Sequence, residues 1–223
     1  MFQKIIIISG GSSIDPTFFH KRMKSKENGL IICCDGGARH FQNSAIKPDV
    51  IIGDMDSIDT DQLAEYSDEK IKIIKHPPEK DSSDTELALD YALNLRAERI
   101  FIWCALGGRI DHTLANVFLL IMAQKKKIET VLIDDYCEVF LLNRKNIFVN
   151  EKGKTVSFFA LTSEVKGITL SGFFYPLKNG TLKMGESRGI SNVISGARAS
   201  IKIEKGKLLV VKYHRKDFFP KAQ

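Results

Sequence analysis

Four aspartates and no lysine or arginine fall between residues 53 and 61, in Gly53-Asp54-Met55-Asp56-Ser57-Ile58-Asp59-Thr60-Asp61. A second acidic stretch, Glu79-Lys80-Asp81-Ser82-Ser83-Asp84-Thr85-Glu86, follows His76-Pro77-Pro78, and a third group reads Gly107-Gly108-Arg109-Ile110-Asp111-His112. Carboxylates brought together repel and lose hydration, so such a cluster is stable only when protonated or neutralised by a cation. Oxygen donors with no cysteine or grouped histidine beside them select a hard cation, Mg²⁺ ahead of Ca²⁺ or Mn²⁺. Mg²⁺ keeps several waters and bridges a few carboxylates to phosphate oxygens. Gly36, Gly37, Gly107 and Gly108 let backbone approach a phosphate closely, and Arg109 offers a rigid two-pronged donor for its oxygens. The chemistry indicated is metal-assisted handling of a phosphate compound.

Some of these residues have a plainer reading. Ser83 and Glu86 have capping-box spacing, Asp111 can cap the helix that follows it, and Asp59 and Asp61 suit the first turn of a short helix after Ser57. His112 is read as structural, and Phe101, Trp103 and Cys104 as strand core. Asp54 and Asp56 are assigned to function, because Gly-Asp-x-Asp directly after an apolar run sets two carboxylates on a tight turn with no adjacent base.

The elements that must position these groups are legible as alternating β-type runs and helical patterns. Apolar runs cover Lys4 to Ile8, Leu30 to Cys34, Val50 to Ile52, Ile71 to Ile74, Ile100 to Cys104 and Thr130 to Ile133. Helical spacing is clearest in Leu87, Ala88, Tyr91, Ala92 and Leu95, and in Leu114, Val117, Phe118, Ile121 and Met122. The alternation predicts an α/β unit over residues 1–136, a mainly parallel sheet with helices on both faces. Ligands of such sheets lie beyond the C-terminal strand ends, where the acidic and glycine-rich loops fall. From residue 137 to 223 strands follow one another without long helices, with turn signals at Glu151-Lys152-Gly153, Lys178-Asn179-Gly180 and Lys205-Gly206. This predicts an antiparallel β-sandwich or barrel.

Charge divides at the same place. Residues 1–136 hold 17 basic and 21 acidic side chains, whereas residues 137–223 hold 16 basic and 6 acidic, a net +10. The basic residues stand singly among apolar ones, without the clustered stripe of a nucleic-acid surface, so no nucleic-acid partner is expected. Lys125-Lys126-Lys127 closes a predicted helix, where positive charge suits the dipole. The longest uncharged apolar stretch, Val117 to Ala123, is far short of a membrane span, and Ile5 to Ile8 is too short for a signal-peptide core. No membrane partner and a cytoplasmic location are expected. Cys33 and Cys34 are adjacent while Cys104 and Cys137 stand alone, so buried free thiols rather than a zinc site are predicted.

The ordered motifs resemble the thiamine pyrophosphokinase (thiamine diphosphokinase) family. The resemblance rests on Asp35-Gly36-Gly37-Ala38, on Pro48-Asp49 leading to Gly53-Asp54-Met55-Asp56-Ser57-Ile58, on Lys80-Asp81 with Asp84-Thr85-Glu86, and on Gly107-Gly108-Arg109-Ile110-Asp111-His112 with Asn116. Further on, Gly167-Ile168-Thr169-Leu170 with Gly172, Tyr175-Pro176-Leu177 and Gly189-Ile190-Ser191-Asn192 are similar to its thiamine-side pattern. It implies an α/β nucleotide domain followed by a β-sandwich, a homodimer with thiamine near the subunit interface, and Mg²⁺-dependent transfer of the terminal diphosphate of ATP to thiamine. By the same resemblance Asp54, Asp56 and Asp81 hold Mg²⁺ and its waters, with Asp111 close by as a further ligand or a hydroxyl-orienting group and Arg109 on phosphate oxygens. Asp35, Gly36 and Gly37 line the nucleotide side with Gly107 and Gly108, and Asp84 orients the nucleotide or a metal-bound water. Ser191 and Asn192 meet the thiamine pyrimidine, and an aromatic face comes from Phe173, Phe174 or Tyr175. Three positions depart from the family pattern: Cys104 stands where glycine is common, Met55 where a bulkier residue is frequent, and Ser83 where threonine is usual. The alternatives are a Mg²⁺-dependent phosphoesterase or nucleotide hydrolase, and, more remotely, a basic nucleic-acid-binding module.

Overall fold

Runs of isoleucine and valine, stiff at Cβ, build the first sheet in the computed structural model, which describes residues 2–11, 29–42 and 44–214. The chain divides into two compact units, Met1–Asp135 and Tyr136–Gln223. In the first, β1 (Lys4–Ile8), β2 (Gly29–Cys34), β3 (Val50–Gly53), β4 (Lys72–Lys75), β5 (Arg99–Trp103) and β6 (Glu129–Ile133) pair in parallel in the order β6-β5-β1-β2-β3-β4. Ile5 to Ile8, Ile31, Ile32 and Ile51 are wholly buried, as expected of parallel strands covered on two faces. The order reverses between β1 and β5, so the loops after these strands diverge and open a crevice there.

A short 3₁₀ helix (Asp35–Phe41) follows β2, and three α-helices follow: α1 (Thr60–Asp68), α2 (Asp84–Asn94) and α3 (Ile110–Lys125). Helix α2 packs on β1, β2 and β3, and α3 packs on β6 and α2. The β3-to-β4 connection runs outward from β1 while the β4-to-β5 connection returns across it, so right-handed crossovers put α1 and α2 on opposite faces. Ser83 caps α2 by accepting from Glu86 N at 3.2 Å, the expected capping contact. Asp59 caps α1, accepting from Asp61 N at 2.9 Å, and Asp61 occupies the first turn. Asp111 does not cap α3. The cap position is Arg109, without a side-chain capping bond, and the Asp111 carboxylate is turned to the Arg109 guanidinium instead. The face α3 buries also differs from expectation: Asn116, Leu120 and Ala123 are buried, whereas Leu114 is 53% and Phe118 55% exposed. The helix is apolar nearly all round, so its periodicity does not select a face.

The second unit is a sandwich of two antiparallel sheets. Its strands are β7 (Cys137–Leu141), β8 (Lys145–Val149), β9 (Thr155–Ala160), β10 (Glu164–Ser171), β11 (Leu177–Lys183), β12 (Asn192–Val193), β13 (Arg198–Lys202) and β14 (Leu208–Tyr213). One sheet runs β12-β9-β14-β7 and the other β11-β10-β13-β8. Val156, Phe158 and Val210 from the first pack with Phe148, Ile168 and Ile201 from the second. Lys178-Asn179-Gly180 is not a chain reversal: it lies inside β11, where Asn179 takes a left-handed φ of 52° and the β10–β11 register shifts. Turn-type residues there serve a bulge. Lys212 is buried between Glu138 (2.6 Å) and Glu151 (2.8 Å), with its ammonium over the Phe148 ring. All four cysteines are buried and outside any disulfide, and among the described residues no helix is long and apolar enough to cross a membrane.

Candidate active site

The site is built around Asp35, the residue at which β2 ends and the 3₁₀ helix begins. Two glycines permit the packing that encloses it. A Cβ on Gly53, at the end of β3, would lie 2.5 Å from Asp35 Cβ, and one on Gly37 would lie 2.5 Å from the Ile8 carbonyl oxygen. Gly37 is therefore buried packing, whereas Gly36 is half-buried and faces Gly10. The Asp35 carboxyl is 1% exposed. Its Oδ2 accepts from Ser57 N at 3.1 Å, while no donor among the described residues reaches its buried Oδ1. Burial pushes this carboxyl up to about 6; the Ser57 N–H opposes the shift, and the Asp54 and Asp56 side chains add to it.

Asp54, on the turn after β3, is the counterpart. Its hydrogen bond with Asp35 and the nearby Lys80 hold it down at about 2. Asp84, the first residue of α2, completes the group: one carboxylate oxygen from each of Asp35, Asp54 and Asp84 lies within 4.8 Å of the others. Lys80 sits between two of them, its Nζ 2.8 Å from Asp84 Oδ1 and 3.3 Å from Asp54 Oδ2. Burial disfavours the Lys80 charge, but the two carboxylates outweigh burial and raise its value. The oxygen-only donor set and the donorless Asp35 Oδ1 suit a hard divalent cation. Asp56 is exposed on the same turn as Asp54 and accepts from Ser57 Oγ at 2.9 Å. Asp81 is exposed and is not one of the three grouped carboxylates.

The neighbouring loops are fastened to this edge. Ser9 Oγ and Thr85 Oγ1 are 2.7 Å apart, joining the end of β1 to the start of α2. Ser9 N donates to Trp103 O at 2.9 Å and Gly11 N to Cys104 O at 2.8 Å, which ties the β1 loop to the β5 loop. Asn116 Nδ2 donates to Ala105 O at 2.8 Å. Cys104 (φ 56°), Gly107 (φ 86°) and Gly108 (φ 72°) are left-handed, as is Met55 (φ 70°), so two departures from the family pattern occupy backbone that favours glycine. Arg109 and Asp111 are exposed and pair with each other, Nε donating to Oδ1 at 3.1 Å, and the guanidinium holds Asp111 at about 2. Sequence reasoning assigned no role to Lys80 or to Ser9-Gly10-Gly11. The latter carries the same signal as the other loops, paired glycines directly after an apolar strand.

Residues 22–132 match the family model described as "Thiamin pyrophosphokinase, catalytic domain", and residues 144–208 match "Thiamin pyrophosphokinase, vitamin B1 binding domain". The thiamine pyrophosphokinase of Bacillus subtilis is 31% identical over 83% of this chain and 88% of its own. The chain belongs to the thiamine pyrophosphokinase family. Its fold agrees: the crystal structure of a thiamine pyrophosphokinase from Bacillus subtilis superposes with a TM-score of 0.84 at 29% identity, covering 94% of this chain and 98% of that one. A structure from Geobacillus thermodenitrificans, at 24% identity, 97% coverage of this chain and 100% of its own, gives 0.82. Among such thiamine pyrophosphokinase folds, the strands of this chain's second unit enclose a cavity of about 270 Å³. Phe158, Ile168, Leu170 and Leu182 contribute apolar lining, with Tyr175, Arg188, Ile190 and Asn192 also facing it. Of Phe173, Phe174 and Tyr175, Phe173 is buried in the core against Phe148 and Phe158, while Phe174 and Tyr175 are exposed. The Asn192 side chain brackets the backbone of Tyr175, accepting from its N–H at 3.0 Å and donating to its carbonyl at 2.8 Å. Ser191 is exposed and left-handed, and its N–H donates to Ser157 Oγ at 3.0 Å.

Proposed function

We propose that this chain transfers the terminal diphosphate of ATP to the hydroxyethyl group of thiamine, releasing AMP and giving thiamine diphosphate. The observation that carries the reading is the meeting of Asp35, Asp54 and Asp84 around Lys80 at the strand ends of a thiamine pyrophosphokinase fold. Asp54 and Asp84 are the residues we assign to Mg²⁺, with Asp35 behind them and with Asp56 and Asp81 reaching it directly or through water. Bound there, Mg²⁺ would neutralise charge developing on the phosphate oxygens. In a loose phosphoryl-transfer transition state the protein mainly aligns the reactants and stabilises spreading charge. Lys80 supplies an ammonium beside the phosphates. Gly36, Gly107 and Gly108 present backbone without side chains, and Arg109 turns its fork from Asp111 to the phosphate oxygens. Asp111, then free of Arg109, accepts a hydrogen bond from the thiamine hydroxyl and aims an oxygen lone pair at the β-phosphorus.

The thiamine rings enter the cavity of the second unit, with Tyr175 as the aromatic wall, Asn192 holding that wall in place and Ser191 at the pyrimidine. A homodimer assembled through this unit, in the cytoplasm, completes the proposal. The test is AMP release under Mg²⁺ with and without thiamine. AMP that appears only with thiamine supports the transfer; phosphate release independent of thiamine would make the protein a nucleotide hydrolase. Asp54→Asn should abolish the thiamine-dependent AMP while leaving the protein folded.

A further inference from the structure

Asp84 owes its place in the acidic group to a helix end. It is the first residue of α2, and a first helical turn is loosely fixed, because its N–H groups have no partner within the helix. The Ser83 cap satisfies Glu86 N, but that contact binds the helix to itself and not to the sheet. Thr85 makes the tertiary contact. One residue on from Asp84, and so about 100° round the helix, it is buried on the side that packs against the strands. Its Oγ1 lies 2.7 Å from the Oγ of Ser9, a buried residue directly after β1. Ser9 is itself tied to β5, its N–H donating to Trp103 O. From β2, Cys34 reaches the same side chain: burial pushes its thiol up, the Asp84 charge adds to the rise, and a hydrogen bond with Thr85 opposes it. Two buried hydroxyls that satisfy each other add little net stability over apolar groups of the same shape. What they add is direction, since a short hydrogen bond admits few placements of the helix start.

We infer that Thr85, held by Ser9, is a positioning residue for the metal site: it fixes the start of α2 so that an Asp84 oxygen comes within 4.8 Å of those of Asp35 and Asp54. The inference rests on the assignment of Asp54 and Asp84 to Mg²⁺, and adds to it the contact that makes Asp84 available. Both hydroxyls are buried, so they act through Asp84 and not on the ion itself. Mg²⁺ demands near-ideal octahedral geometry, and a carboxylate released from its place is felt as lost metal affinity.

The test is a titration of the whole chain with Mn²⁺, a stand-in for Mg²⁺ at oxygen donors, without nucleotide and with the free ion counted by electron paramagnetic resonance. Thr85→Val keeps the shape and removes the hydroxyl, and should weaken Mn²⁺ binding by about tenfold. Ser9→Ala removes the same bond from the other side; it should cost a similar factor, and it carries the test if Thr85→Val does not fold. Thr85→Ser restores the hydroxyl and should bind within about twofold of the unaltered protein. Added to Asp84→Asn, either Thr85→Val or Ser9→Ala should weaken Mn²⁺ no further, because both act only through Asp84. A general loosening of the fold would multiply the two factors instead. The inference fails if the factors multiply, or if Thr85→Val or Ser9→Ala binds Mn²⁺ as the unaltered protein does. Asp54→Asn separates this failure from that of the metal assignment. If Asp54→Asn weakens Mn²⁺ and Thr85→Val does not, the metal site stands and only the role of Thr85 is lost; if Asp54→Asn leaves Mn²⁺ binding unchanged, the ion lies elsewhere and both are lost.

Discussion

Replacing Asp35 by asparagine sets stability against binding. Burial lifts this carboxyl from a usual 3.8 to about 6. An acid whose folded value lies above its unfolded one favours folding while protonated. That contribution is present at low pH and is lost as pH rises through about 6. At pH 8 the ionised group therefore costs the metal-free protein at most about 3 kcal/mol, the free energy equivalent of moving from 3.8 to about 6. Water around the exposed turn beside it reduces this to about 1–2 kcal/mol. An amide keeps the shape: its oxygen still accepts from Ser57 N, and its NH₂ donates to Asp54 as the protonated acid does. Asp35→Asn should thus gain about 1–2 kcal/mol in urea unfolding with EDTA at pH 8, about half of that near pH 5, and almost nothing near pH 3, where the acid carries its proton in the folded and the unfolded chain alike. In the same variant Mg²⁺ should add less stability than it does to the native protein, and turnover should fall on the order of 10²-fold. A variant less stable at pH 8, or equally stabilised at pH 8 and pH 3, would refute the argument that this carboxylate is held against its own preference.

Asp56→Asn should fold normally and lose about 10² in thiamine-dependent AMP release, because it removes charge without changing shape; near-normal turnover would take Asp56 out of the metal site. Lys212→Met leaves Glu138 and Glu151 facing each other inside the sandwich, and should cost about 2–4 kcal/mol in urea unfolding. Adding Glu151→Gln should restore part of that, and a cost below about 1 kcal/mol would mean the ion triad is not structural. Asn192→Ala unties Tyr175 and should raise the KM for thiamine several-fold with the KM for ATP unchanged within about twofold; equal changes in both would show general loosening instead.

How far the sequence foretells the fold depends on how local the signal is. The six parallel strands announce themselves because both faces are buried, so runs such as Ile5 to Ile8 need no partner to be recognised. The ends of those strands are equally plain, since Gly53-Asp54 and Asp35-Gly36-Gly37 break the apolar runs. Strand β11 is hidden because Asn179 and Gly180, residues that usually reverse a chain, bend a strand here without ending it. The buried face of α3 is hidden for the opposite reason: with Ile110 78% exposed beside Leu114 and Phe118, the helix offers apolar groups to every side. In the site, spacing indicates which loops converge but not which oxygens meet. Asp84 joins Asp35 and Asp54 because α2 begins there, while Asp81, three residues earlier, stays outside the group. The Arg109–Asp111 pairing depends on rotamers at a helix start, which no spacing rule specifies.

Three carboxyl groups whose oxygens lie within 4.8 Å cannot all stay charged without compensation, and the means of compensation are informative. One is the proton that the raised Asp35 retains up to about 6; the other is the Lys80 ammonium against Asp54 and Asp84. Both are removable. A proton leaves to water, and a lysine on its four-carbon stem can swing aside without disturbing the backbone. An arginine with a fixed fork, or a hydrophobic replacement, would stabilise the edge permanently but block it against a divalent cation. The metal-free fold is therefore neutralised by occupants that a stronger cation can displace. Asp35→Asn fixes the first occupant in place, which is why its expected gain in stability and its expected loss of Mg²⁺ response must appear together.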